Sequence, residues 1–181
     1  MTTTFLTRSL GAGMAAVLLA AGSANAATMT FACTARDSGK DVPLTLTYDG
    51  DADGTLTVKS ADGVMTLKAR YTAQDANNWG IDAYGPATVI MPDRAALEAC
   101  LKAKAQPGDL DDADVVTVLA LDCQASVAPS AAPVAVSAEV EISAIDGGLN
   151  AFITRKYADT SPVAGGHIEL SSVPPPDCVK Q

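Results

Sequence analysis

Short segments in which apolar and polar residues alternate, separated by Asp-Gly turns, constrain the fold of this chain most. Residues 44–48 and 56–58 alternate on either side of the turn 49–54, and the Asp-Gly pair at 62–63 leads into a third segment, residues 64–71. Alternation puts every second side chain on one face of a strand, and Asp-Gly pairs are typical of hairpin turns. These residues predict a three-stranded antiparallel meander.

Six further segments have the composition of strands. A polar, glycine-containing loop is expected at 73–86. The run 115–121 is apolar almost throughout, which favours a strand buried on both faces. An Ala-, Ser- and Pro-rich connector follows at 126–133. The predicted strands are 28–35, 87–91, 115–121, 134–142, 150–154 and 167–170. Together they indicate an all-β or mainly β fold, an antiparallel barrel or sandwich of eight or nine short strands.

One segment, about residues 93–104, predicts an α-helix. Asp93 can cap its first turn, and lysines occupy its last turn, where they complement the helix dipole. Leu97, Cys100 and Leu101 fall on one face at helical spacing, so Cys100 should point toward the core.

Four cysteines provide the covalent constraints on this fold. Aromatic residues make up only 4% of the chain, so the core is built largely from short Ala, Val and Leu side chains, and cross-links should matter for stability. An even number of cysteines in an exported chain, without a C-x-x-C motif, predicts two disulfides. Of the three connectivities, Cys33–Cys100 with Cys123–Cys178 is favoured, because each bond would then close one half of the chain.

The first 26 residues have the pattern of a secretory signal peptide. Arg8 is the only charge before Arg36, and the apolar stretch at 10–22 is shorter than the roughly 20 residues that span a bilayer. The small-x-small sequence at 24–26 predicts cleavage before Ala27, with an uncleaved anchor as the alternative. We therefore expect a periplasmic or secreted protein without membrane insertion after cleavage. Residues 27–181 would form a single mainly β domain, with a two-module split near residue 106 as the alternative.

The charge of the chain restricts its partners. It carries 12 basic and 21 acidic residues, and loss of Arg8 with the signal peptide would leave 11 against 21, a net charge of −10. Phosphate backbones repel such a surface, so nucleic acid is not expected as a partner. A basic protein partner is electrostatically permitted, and the oligomeric state stays open.

An Asp-rich turn is the candidate metal site. Asp49, Asp51 and Asp53, followed by Gly54, spell D-x-D-x-D-G, the opening of a calcium-binding loop. The twelfth position of the loop holds Ser60 instead of the usual bidentate glutamate. A weak calcium site is one hypothesis; the alternative, a simple hairpin tip, needs no cofactor.

Other candidate residues do not form a catalytic pattern. The acidic cluster Asp109, Asp111, Asp112 and Asp114 is typical of a solvated loop. His167 is the only histidine, and no G-x-S-x-G motif accompanies it, so no catalytic residue is assigned and the chain is not expected to be an enzyme. Trp79 is either a binding anchor or a plug for an aromatic-poor core. These observations favour a non-catalytic binding or envelope-associated module.

Residues 31–100 carry an outline that resembles the small periplasmic inhibitors of C-type lysozyme. The shared features are the sequence 31–33, the hairpin around Tyr48 and Leu56, Trp79, the segment 85–89, and finally Cys100. The resemblance implies a compact β-barrel, with a disulfide joining its early and late cysteines, that binds a basic lysozyme. The inhibitory S-G-x-x-Y motif of that family is missing here, so no inhibitory residue is carried over.

Overall fold

A computed structural model describes residues 27–37, 40–172 and 175–181. The predicted signal peptide lies outside these residues. The described chain is mainly β, with nine antiparallel strands in one curled half-barrel sheet. The strands are β1 (Ala27–Asp37), β2 (Lys40–Gly50), β3 (Asp53–Ser60), β4 (Gly63–Ala73), β5 (Trp79–Val89), β6 (Val134–Ile145), β7 (Gly148–Tyr157), β8 (Glu169–Ser171) and β9 (Asp177–Lys180). The helices are α1 (Arg94–Lys104) and α2 (Ala113–Gln124), with a short 3-10 helix at Asp109–Asp111 between them.

The sheet is a meander to which a returning strand adds one edge. Its spatial order is β8-β7-β6-β5-β4-β3-β2-β1-β9, so each strand from β1 to β8 pairs with its neighbour in sequence. Both helices are inserted between β5 and β6, and β9 returns to pair with β1. The sheet curls far enough to bring β9 close to β7.

Alternation along the strands separates the core from the surface. On β6, for example, Val136, Ala138, Val140, Ile142 and Ala144 are buried while the intervening residues are mostly exposed. The largest fully buried side chains include two aromatic residues, Phe31 of β1 and Tyr48 of β2. They also include leucines of β2, β3 and β4: Leu46, Leu56 and Leu67. The inner face of the curled sheet is therefore the hydrophobic core.

The predicted helix and its cap are confirmed. The Asp93 carboxylate accepts a hydrogen bond from the Ala96 amide at 2.9 Å, and Leu97 and Leu101 are fully buried. Cys100 is packed against the same core, as its position on the Leu97 face predicts.

The predicted strand at 115–121 is wrong, because this segment lies within helix α2. The Asp112 carboxylate caps the helix by accepting hydrogen bonds from the amides of Asp114 and Val115. Val116, Ala120 and Cys123 are buried at spacings of four and three residues, which is the helical period. A short apolar run does not distinguish a buried strand from a buried helix, and the capping aspartate was the signal that the acidic-loop interpretation overlooked.

Two boundaries also differ from the predictions. The expected loop at 73–86 is short, since β5 already begins at Trp79. The strand predicted at 167–170 corresponds to β8 at Glu169–Ser171, and the sequence analysis missed β9. Four residues are too few to show an alternating pattern, and β9 is defined only by its pairing with β1.

The favoured disulfide connectivity is wrong. Cys33 pairs with Cys178, and Cys100 pairs with Cys123, with Cα separations of 4.0 and 5.9 Å. The first bond follows from strand pairing, because Cys33 and Cys178 lie opposite each other on β1 and β9. The second joins α1 to α2. The favoured connectivity assumed that each disulfide closes one half of the chain, whereas the sheet pairs β1, at the beginning of the described chain, with β9 at its end.

The disulfides fit an oxidising compartment outside the cytoplasm. In the ranges that the structure describes, none of the helices has the length and apolar character needed to cross a membrane.

Candidate functional site

A cavity of about 430 Å³ lies between the inner face of the sheet and helix α2. Its size is within the range of small-molecule binding pockets, roughly 300–1,000 Å³. Apolar side chains from five elements form its wall: Leu44 of β2, Val58 of β3, Met65 of β4, Leu121 of α2 and Ile153 of β7. The cavity exists because the helical insertion covers the sheet without filling the space beneath it.

Helix α2 contributes one face to this cavity. Leu121, Gln124 and Ala125 line it at spacings of three and one residues along the C-terminal turn. The neighbouring Cys123 is fully buried and is bonded to Cys100 of α1. This disulfide ties the cavity-lining end of α2 to the first helix.

An ion pair provides the charge in the cavity. The Arg155 Nη1 atom lies 2.8 Å from the Asp62 Oδ2 atom, and the side chains are 19% and 44% exposed. Arg155 follows Ile153 and precedes Tyr157 on the inward-facing side of β7, a position where a charged side chain is costly without a partner. Asp62 is held in the β3–β4 turn, where its carbonyl accepts a hydrogen bond from the Ile90 amide at 2.8 Å.

The same ion pair borders a second cavity of about 310 Å³. Val42, Asp62, Gln124, Ala125 and Arg155 line both spaces. The second cavity extends toward Met91 and Val127, along the connections that enter and leave the two helices. The ion pair therefore stands between two adjoining spaces.

Sequence analysis did not single out Asp62 or Arg155. A usable signal existed for Arg155: Ala151, Ile153 and Tyr157 are buried, so the alternation of β7 places residue 155 on the inner face. An arginine in that register indicates a polar site within an apolar surface. The partner could not be found in this way, because Asp62 belongs to an ordinary Asp-Gly turn 93 residues earlier.

Trp79 lies at the start of β5, at the end of the sheet opposite the β3–β4 turn. Its ring centroid is 5.7 Å from that of Phe31 and 6.1 Å from that of Tyr71, and the Lys180 Nζ atom lies 5.8 Å from it. These contacts give the ring a core-packing role. Trp79 also borders a separate, more open cavity of about 390 Å³ with Thr72 and Ile145, and its role as a binding anchor stays a prediction.

The three aspartates of the candidate calcium loop lie at the exposed tip of the β2–β3 hairpin. The Asp49 carboxylate accepts a hydrogen bond from the Thr28 hydroxyl at 3.2 Å, and the Tyr48 hydroxyl donates to the Asp51 carbonyl. Burial, followed by the charges of the neighbouring aspartates, raises the pKa of Tyr48. Within the described ranges, no group of three or more His, Cys, Asp or Glu side chains is arranged to hold a metal ion. Calcium binding stays a prediction.

The remaining candidate residues have structural contacts. Asp112 caps α2, and the Asp109 carboxylate accepts a hydrogen bond from the Gln106 amide at 2.8 Å. The His167 Nδ1 atom lies 2.9 Å from the Tyr157 carbonyl oxygen. The Tyr157 hydroxyl donates to the Pro92 carbonyl at 2.6 Å, and burial raises the pKa of Tyr157 to about 12.

Comparisons with known proteins find no matching family model, no curated protein of significant similarity and no solved structure of significant similarity. The resemblance to lysozyme inhibitors depended in part on a Cys33–Cys100 disulfide, whereas Cys33 is bonded to Cys178. The cavity beneath α2 is therefore the feature from which a function is best argued.

Proposed function

We propose that this chain is an exported, non-catalytic binding module that holds a small, largely apolar molecule in the cavity beneath α2. The observation that carries the proposal is the combination of an aliphatic wall with a single charged pair at its edge. Ligand pockets typically have this composition, with apolar area supplying affinity and a few polar groups fixing orientation. The polar groups here are the Asp62–Arg155 pair together with the side chains of Ser60, Gln124, Ser171 and Ser172.

The proposed location is the periplasm or the extracellular space. Two disulfides and the signal-peptide pattern at 1–26 support it. A non-catalytic role is supported by the cysteines in the described chain, which are all disulfide-bonded. It is also supported by His167, whose Nδ1 atom contacts a backbone carbonyl and not a nucleophilic side chain.

The proposal is tested by titrating the purified protein with a series of neutral alcohols, from 1-hexanol to 1-decanol, in a calorimeter. Each methylene that enters the cavity contributes about 0.8 kcal/mol, so the dissociation constant should fall about fourfold per added carbon. The trend should end when the chain fills the cavity. Absence of binding across the series would refute the proposal.

A matched pair of helix variants locates the site. Ala125→Trp places a large ring at the cavity edge and should abolish alcohol binding, because Ala125 lines both cavities. Val118→Trp is the control, since Val118 is 66% exposed on the same helix and does not line the cavity. Equal binding by the two variants would place any alcohol site elsewhere on the protein.

A further inference from the structure

The polar edge of the cavity presents more hydrogen-bond donors than acceptors. Arg155 carries five N–H groups, and its only hydrogen bond to another described side chain goes from Nη1 to Asp62. No side-chain nitrogen or oxygen in the described chain is both buried and unpartnered, so any guanidinium nitrogen of Arg155 without a partner is accessible to solvent, and Arg155 lines the cavity. Arg155 is thus mostly covered by protein but still has donors to offer.

Two serines at this edge add donors of the same kind. The Ser60 Oγ atom accepts a hydrogen bond from the Asp62 amide at 3.2 Å, and the Ser172 Oγ atom accepts one from the Ile153 amide at 3.0 Å. A serine hydroxyl that accepts a hydrogen bond keeps its own O–H donor, and neither hydroxyl has a further hydrogen bond to another described residue. Both serines line the cavity.

We infer that the cavity selects a single-chain amphiphile with an anionic head group of the carboxylate or phosphate type. The inference rests on the proposed function and specifies its ligand class. Arg155, with Ser60 and Ser172, binds the head group, and the alkyl chain lies along Leu44, Val58 and Met65. Charge-assisted hydrogen bonds from a guanidinium to an anion are stronger than those between neutral groups.

The charges of the site favour an anion over a cation. Asp62 and Arg155 are the only charged residues among the described residues that line either cavity. Asp62 already accepts from Arg155 and is the more exposed of the two. A ligand ammonium beside Asp62 would also lie close to the Arg155 guanidinium, which repels it.

The cavity volume sets the size of the ligand. A cavity of roughly 150 Å³ holds benzene, and the volume here is about 430 Å³. The space is therefore sufficient for roughly three times the six carbons of benzene. Decanoate, with about 12 non-hydrogen atoms, fits within that limit and is soluble enough to titrate.

The test compares four ligands with the same chain: decanoate, decyl phosphate, 1-decanol and decylamine, titrated calorimetrically at about pH 8. Decanoate or decyl phosphate should bind at least about tenfold more tightly than 1-decanol. The ratio between the two anions shows which head group the site prefers. The inference is overturned if 1-decanol or decylamine binds as tightly as both anions. If none of the four binds, the proposed function fails as well.

Three variants connect the preference to the ion pair. Arg155→Gln should lower decanoate binding to the level of 1-decanol binding measured with the same variant, and Arg155→Lys should keep part of the preference. Asp62→Asn removes the competing carboxylate and should strengthen decanoate binding severalfold relative to 1-decanol binding measured with the same variant. If Arg155→Gln does not fold, Asp62→Asn alone decides the question: unchanged or weaker decanoate binding in that variant refutes the inference.

Discussion

Removing the two disulfides one at a time should destabilise the fold by different amounts. In the chain-entropy description, a cross-link stabilises by restricting the unfolded chain, and its contribution grows with the length of the loop that it closes. Cys33–Cys178 spans 145 residues and Cys100–Cys123 spans 23. The corresponding contributions to the free energy of unfolding are about 5 and about 3.4 kcal/mol.

The measurement is urea unfolding of two double variants, Cys33→Ala/Cys178→Ala and Cys100→Ala/Cys123→Ala. Each variant loses one deeply buried sulfur, since Cys33 is 4% exposed and Cys123 is fully buried, so the packing losses largely cancel in the comparison. We expect the first variant to be less stable than the second by about 1.6 kcal/mol, or about 3–6 °C in melting temperature. Both should show a larger dependence on urea concentration, because the unfolded chain exposes more surface.

Equal losses, or a larger loss for the Cys100–Cys123 variant, would refute this reasoning. Such a result would mean that the native contacts of α2 around Cys123 outweigh the restriction of the unfolded chain. Alcohol titration of the same two variants separates the native contacts of α2 from the restriction of the unfolded chain. Of the two disulfides, only Cys100–Cys123 holds the end of α2 that lines the cavity. The Cys33–Cys178 variant, once folded, should bind as the wild type does.

Three further perturbations follow from individual contacts. Gly54→Ala should lower the free energy of unfolding by about 1–3 kcal/mol, because the added Cβ atom would lie 2.4 Å from the Asp49 carbonyl oxygen. Gly80→Ala is the control and should be tolerated, since the nearest atom to its added Cβ is 3.6 Å away. The free energy of unfolding should fall between about pH 10 and 12, because the Tyr157 phenol ionises at lower pH in the unfolded chain than in the folded protein. Tyr157→Phe should reduce that fall and should lower the free energy of unfolding at neutral pH by about 1 kcal/mol, since it removes the hydrogen bond to the Pro92 carbonyl. A melting temperature that rises with calcium, and an Asp51→Ala variant that loses this rise, would establish the weak calcium site, whereas equal melting temperatures with calcium and with a chelator would favour the simple hairpin tip.

The regular part of the fold was accessible from the sequence because its signals are local. Alternation and Asp-Gly turns define β2, β3 and β4, and a capping aspartate with terminal lysines defines α1. The disulfide pattern was not accessible, because it depends on where distant segments meet. Cys178 reaches Cys33 only through β9, a four-residue strand that pairs with β1 at the opposite end of the described chain.

The candidate site was hidden for a related reason: it is formed by the segment whose secondary structure the sequence left ambiguous. As a strand, residues 115–121 would not have provided the cover that α2 places over the inner face of the sheet. In helix α2, Val116 and Ala120 are buried on one side of the helix, and Leu121 lines the cavity on another side. The helix also places Gln124 and Ala125 beside Asp62 and Arg155, which come from the β3–β4 turn and from β7. An inward-facing arginine on a strand indicates a polar position within an apolar surface, but only the helix above it shows how much apolar volume adjoins that position.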